Sequence, residues 1–144
     1  GQSLTGTVGS ARIASAYSLN NARALDVSSL QGQWTRASNS TLTVSFDGVV
    51  SGVQTSGVLG QCDISGRIQS VTVGSLKNLF RIDLTYSRQS VPSGQLSCTY
   101  PGTFSLLGSV LRVAKSDTDP VLVDSLHIQG WSPSATYATS YNRR

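Results

Sequence analysis

The feature that most constrains this chain is a two-residue alternation of apolar and hydroxyl-bearing side chains, interrupted at near-regular intervals by turn residues. Thr41-Leu42-Thr43-Val44-Ser45-Phe46 places Leu42, Val44 and Phe46 on one face and hydroxyls on the other, the pattern of a strand with one buried face. Asp47-Gly48 then predicts a two-residue hairpin turn, because both residues tolerate positive φ, and Val49 to Thr55 forms the return strand. After a turn at residues 57–60, Cys62, Ile64 and Ile68 resume the alternation, with Val71 and Val73 continuing it. Phe80, Ile82, Leu84 and Tyr86 face one way while Arg81, Asp83 and Thr85 face the other. Pro92-Ser93-Gly94 ends that strand. Leu96, Cys98 and Tyr100 begin the next, Pro101-Gly102 bends it, and Phe104 and Leu106 carry it to Gly108. Val110 to Ala114, a turn at residues 116–120, and a last strand from Val121 to Ile128 complete the series.

Composition agrees with this reading. Glu is absent, Lys occurs only at Lys77 and Lys115, and charged residues make up 12% of the chain. Helix formers are therefore scarce, and the abundant Ser, Thr, Val and Gly favour strands and turns. Short sequential connections predict an all-β fold: an antiparallel up-and-down meander of seven or eight strands that closes into a barrel or a strongly curled sheet and so hides its edges. The domain limits that follow are a mobile N-terminal arm over residues 1–21, with at most a weak edge strand around Ala11 to Ala16, a barrel over 22–131, and an exposed tail over 132–144.

The two cysteines, Cys62 and Cys98, suit one disulfide in an oxidising compartment, with two buried free thiols as the alternative. A zinc site would normally need four Cys or His ligands, and His127 is the chain's single histidine. Each cysteine is followed four residues on by a glycine, Gly66 or Gly102, which leaves room beside the sulfur or permits sharp coiling. The absence of Met fits removal of a leading segment by signal cleavage, so export is expected. No apolar run approaches the ~20 residues of a membrane-spanning helix.

Gly32-Gln33-Trp34, the Leu42/Val44 strand with its Asp47-Gly48 turn, Gly60-Gln61-Cys62, Asn78-Leu79-Phe80 and the two Cys-x-x-x-Gly motifs together resemble a group of small proteobacterial secreted proteins and lipoproteins of unknown function. The resemblance covers roughly residues 24–130. It implies an exported β-barrel-like domain of the cell envelope, placed in the periplasm, at the outer membrane or at the cell surface. Such domains are often lipid-anchored, although this chain shows no lipidatable N-terminal cysteine. Gly-x-Trp before a hydroxyl-rich strand is also similar to the opening of lipocalins, avidins and lipocalin-like bacterial protease inhibitors, in which the Trp plugs one end of the barrel. That resemblance casts Trp34 as a plug. The later tryptophans of the avidin site have no match beyond Trp131, so biotin binding is not implied.

Catalysis finds little support among the residues. Ser125 and His127 would share a strand face, but side chains two apart project in parallel and do not converge as a nucleophile and base must. Asp117 and Asp119 sit in a Pro-ended turn, where Asp commonly bonds its own backbone, and two carboxylates fall short of a calcium shell. Asn39-Ser40-Thr41 matches a glycosylation acceptor but also a turn entering a strand. Arg67, Arg81, Arg88 and Arg112 fall in or beside strands and could bind an anionic glycan or headgroup, or simply solvate the barrel. The +4 formal charge drops to half without Arg143 and Arg144, and it lacks the clustered cations and stacking aromatics of a nucleic-acid surface.

The expectation is therefore a monomeric protein that is not an enzyme, with no catalytic residue, cofactor, metal or nucleic acid, and with a macromolecular or small apolar partner. Three functions remain open. A filled interior built on Leu42, Val44, Phe46, Ile64, Phe80, Ile82, Leu84, Phe104 and Leu106 would mark a scaffold that presents loops to a partner or host, in the manner of a surface antigen. The same residues lining an open pocket, with Trp34 beneath, would mark a lipocalin-like carrier. An N-terminal arm that inserts into an enzyme cleft would mark a protease inhibitor.

Overall fold

A computed structural model describes residues 3–8, 11–16, 23–37, 39–55, 60–72, 76–89, 97–99, 101–116, 118–132 and 135–144. The expected Val73, Leu96, Tyr100 and Asp117 lie outside these residues.

Ten strands are present among the described residues: β1 Ser3–Val8, β2 Ala11–Ala16, β3 Gly32–Arg36, β4 Ser40–Val44, β5 Val49–Gln54, β6 Cys62–Ser70, β7 Phe80–Arg88, β8 Gly102–Ser116, β9 Asp119–Ser132 and β10 Ala135–Arg143. Strands β3 to β10 form one closed barrel in sequential order, each antiparallel to the next, and β10 pairs back onto β3. The all-β barrel expected from the alternation is therefore the fold. The N-terminal segment forms a separate two-stranded sheet, β1 with β2, rather than an unpaired arm or a single edge strand.

The barrel differs from expectation in three places. Residues 135–143 are its eighth strand, not an exposed tail, and Tyr141 within them is fully buried. The physical cause is the alternation Tyr137, Thr139, Tyr141, Arg143, whose large members share the inner face. The segment expected as two strands around Gly108 is one continuous strand, β8. Gly108 lies within it, where a Cβ would run into Ile82 Cδ1, so the missing side chain admits its neighbour's. Finally, Phe46 is 68% exposed and takes no part in the core. The β4–β5 turn has three residues instead of two: the Gly48 N–H bonds the Ser45 carbonyl at 3.0 Å, the Ser45 N–H bonds the Val49 carbonyl at 2.9 Å, and Gly48 takes φ 83°. Strand β4 thus ends at Val44, and Phe46 is a turn residue.

An up-and-down order sends alternate connections to opposite ends. The β4–β5, β6–β7 and β8–β9 turns share one end with the lead-in to β3. The β3–β4, β5–β6, β7–β8 and β9–β10 connections share the other, called here the mouth. A 3-10 turn, Ser28–Leu30, caps the first end, fixed by Asp26, whose carboxylate accepts from Ser28 Oγ at 2.7 Å, the Ser29 N–H at 2.9 Å and Ser29 Oγ at 2.8 Å. Those bonds hold the Asp26 carboxyl below its ordinary range. Between the ends runs one contiguous core that includes Leu30, Trp34, Leu42, Val44, Ile64, Phe80, Ile82, Leu84 and Leu106.

Candidate functional site

The capped end is closed by a compact polar lock. Trp34 is fully buried and donates from Nε1 to the Leu30 carbonyl at 2.8 Å. The Arg143 guanidinium lies 5.3 Å from the centre of the Trp34 ring and donates to the Ser29 and Gln31 carbonyls at 3.0 and 2.6 Å. Asp124 sits within 4 Å of three arginines, at 2.7 Å from Arg23, 3.6 Å from Arg143 and 3.9 Å from Arg112. The hydrogen bond from Arg23, with the charges of all three, holds the Asp124 carboxyl below its ordinary range. First and last strands are thereby fastened at one place.

The same end shows how the barrel treats a strand that outruns its neighbour. Strand β7 pairs with β8 only as far as Phe80↔Gly108, leaving the edge of β8 beyond that point open. Asn78 fills the gap with its side-chain amide, donating from Nδ2 to the Val110 carbonyl at 2.6 Å and accepting the Val110 N–H on Oδ1 at 2.8 Å. A buried side chain stands in for a strand.

The mouth is built differently. The Cys62–Cys98 disulfide ties the start of β6 to the β7–β8 connection, beside a short parallel bridge between Gln61 and Ser97. Beneath it the inner face turns polar. Tyr86 and Tyr137 share a hydroxyl hydrogen bond of 2.9 Å, Tyr141 and Ser40 another of 3.1 Å, and Gln54 Oε1 is buried without a partner among the described residues. Phe104 packs edge-on to Tyr86 and roughly parallel to Tyr137. Burial, reinforced by Tyr141 and Tyr137, pushes Tyr86 well above the usual phenol range. Burial likewise pushes Tyr137 up to about 12, with Tyr141 adding to the shift and the Tyr86 hydrogen bond and Arg36 opposing it. These phenols stay neutral at physiological pH, which suits them to hydrogen bonding and not to base catalysis.

In the wall, β8 and β9 part company after Leu107↔Gln129. A cleft of about 830 Å³ opens there, with Leu106, Leu107, Tyr137 and Ala138 on its sides and Arg81 and Gln129 at its polar margin.

The residues expected to form the site are dispersed. Trp34, Leu42, Val44, Phe80, Ile82 and Leu84 are core, Phe104 is half-buried at the mouth, and Phe46 is outside. The four arginines form no ring: Arg67 pairs with Asp47, Arg81 with Asp83 and Arg112 with Asp124, while Arg88 lies exposed at the mouth end of β7. His127 Nε2 is buried without a hydrogen-bond partner among the described residues, so Ser125 is not bonded to that nitrogen. No group of three or more His, Cys or Asp side chains that could hold a metal occurs among the described residues. Sequence reasoning missed Ser40, Gln54, Asn78, Tyr86, Tyr137, Tyr141 and Arg143. The four-residue spacing of Tyr137 and Tyr141 was the one signal that could have found the last strand.

Compared with known protein families, curated proteins and solved structures, the chain has no match.

Proposed function

We propose that this protein is a non-enzymatic barrel of an oxidising, extracytoplasmic compartment whose mouth is presented to a macromolecular partner. The carrying observation is the packed interior: Trp34, Leu42, Val44, Ile64, Phe80, Ile82, Leu84 and Leu106 are all at most 5% exposed and belong to a single cluster. A barrel filled this way is a scaffold, and what varies around it is the set of connections at its ends. The β7–β8 connection at the mouth is tethered by the disulfide, which lowers the entropy lost when it engages a surface. The bridge itself is compatible with export.

A photo-reactive side chain placed at exposed Thr99, at the mouth, and at exposed Phe46, at the capped end, tests this in the native host. A discrete adduct from position 99 and none from position 46 is expected. Adducts from both, or from neither, overturn the reading.

The wall cleft favours a second reading, carriage of a small apolar ligand, because its volume is in the range of drug-sized sites and Leu106, Leu107 and Ala138 line it. Native mass spectrometry of protein taken from its host separates the two. A reproducible extra mass that organic extraction removes supports the carrier.

A further inference from the structure

The β9–β10 hairpin outruns both of its neighbours at the mouth. On one side, residues 130–132 of β9 pair only with β10. On the other, β10 meets β3 only at Asn142↔Thr35 and Arg143↔Trp34, because β3 ends at Arg36 and the chain turns back into β4. Residues 135–140 of β10 are therefore laddered to β9 along one edge and, among the described residues, have no backbone partner along the other. In an antiparallel strand alternate residues turn their N–H and C=O to each side, so this edge offers the groups of about three residues.

Soluble proteins normally guard such an edge with a Lys, a Pro, a bulge or a covering element. Where β8 outruns β7, Asn78 takes up the backbone N–H and C=O of Val110. The segment Ala-Thr-Tyr-Ala-Thr-Ser of β10 has no charge and no proline. Arg36 ends β3 one residue past its last pair with β10; it is exposed, its charge acts on the Tyr137 hydroxyl, and it has no ion pair among the described residues. An occupant that takes up the β10 edge where β3 ends would meet this cation. Neither β1, β2 nor β10 carries a carboxylate, so none of these strands from a second copy would answer Arg36.

We propose that the open edge of β10 at residues 135–140 accepts an extended segment of a partner polypeptide as an added β-strand, with an Asp or Glu of that segment facing Arg36. The inference rests on the reading of the mouth as the partner-binding end and names how that partner is held. Main-chain bonds supply the affinity, and the carboxylate supplies the preference.

The test uses the full chain and short random linear peptides displayed on phage. Selected peptides are expected to be rich in β-branched residues and to carry an acidic one. A synthetic selected peptide should slow amide exchange across residues 135–140. N-methylation of its alternate amides, which spares every side chain but removes the strand's donors, should weaken binding at least about tenfold. Arg36→Gln should weaken it about twofold to fivefold, as an exposed ion pair would. The proposal falls if the N-methylated peptide binds as tightly as its parent, if protection appears elsewhere, if no peptide is selected, or if the chain dimerises and the protected edge is its own. An adduct from position 99 with no protection at the edge sinks this inference alone, whereas loss of both sinks the reading of the mouth as well.

Discussion

Replacing Asn78 by Ala tests the physical logic of this barrel most directly, because one side chain there does the work of a strand. The amide makes two main-chain hydrogen bonds to Val110, at 2.6 and 2.8 Å, and Asn78 is only 5% exposed. Truncation leaves a donor and an acceptor of β8 without partners in a site with little access to water. Each buried, unsatisfied group costs about 1–3 kcal/mol, so the expected loss for the two is about 2–6 kcal/mol. For a chain of this size that is a fall in Tm on the order of 10 °C. Urea titration gives the free energy, with an unchanged slope expected because the surface exposed on unfolding stays the same. Asn78→Asp sharpens the test. At neutral pH its carboxylate can still accept the Val110 N–H but turns a second oxygen on the Val110 carbonyl, so it should be less stable than Asn78→Ala. Burial raises the folded-state pKa of that carboxyl, so the variant gains stability as pH falls through this raised value, once the protonated acid can donate to the carbonyl. A loss below about 1 kcal/mol for Ala, or an Asp variant as stable as the parent at neutral pH, would show that water or a rearranged loop satisfies Val110 and that Asn78 is not the cover of this edge.

Four further outcomes follow from the geometry. Substituting both Cys62 and Cys98 by Ser, which removes a link across 36 residues, should cost about 4 kcal/mol on chain-entropy grounds, read as the difference between oxidised parent and variant in denaturant. Alkaline titration at the tyrosinate absorbance should find Tyr137 ionising near about 12 and Tyr86 later still. Because both folded values lie above that of an unfolded phenol, this part of the stability is complete below about pH 10 and is lost as pH rises through the folded values, and early titration of all five tyrosines would refute the buried cluster. Arg143→Lys keeps a charge near Asp124 but cannot reproduce the planar stack on Trp34 together with both carbonyl bonds, so it should cost about 1–2 kcal/mol and shift the Trp34 emission to the red. Phe46→Ser should leave stability within about 0.5 kcal/mol of the parent, and a larger loss would return Phe46 to the core.

The middle of the barrel was legible because period-two alternation is a signal that no other regular structure produces. On β4, β6 and β7 the inward residues Leu42, Val44, Cys62, Ile64, Ile68, Phe80, Ile82 and Leu84 follow from the alternation alone, whereas Val50 and Gln54 on β5 do not. Phe46 continues the alternation perfectly, yet the hairpin it enters is set by where Gly48 must take positive φ, and a three-residue loop removes Phe46 from the strand. Local pattern says which face a residue would occupy if the strand continued, but backbone geometry at the turn decides whether it does. The last strand failed for the opposite reason. Tyr137 and Tyr141 sit among Ala, Thr and Ser, too weak a hydrophobic pattern to announce a strand, and what draws them inward is supplied from distant positions: the hydroxyls of Tyr86 and Ser40 and, through Arg143, the ring of Trp34.

That dependence on distant partners also explains why the two ends of the barrel differ. At the capped end the Val110 backbone of β8 is answered by Asn78, and the termini of the barrel are fastened through Asp124 and Trp34. At the mouth the equivalent backbone of β10 has no such answer among the described residues, although the same fold had a side-chain solution available. If the difference were only slack in the structure, placing Lys at exposed Ala138, on the unguarded strand, should change nothing but solubility. If the edge is kept open for a partner, Ala138→Lys should leave the denaturation midpoint within about 0.5 kcal/mol of the parent while abolishing peptide uptake. Unchanged uptake with unchanged stability would show that the missing guard has no consequence for binding.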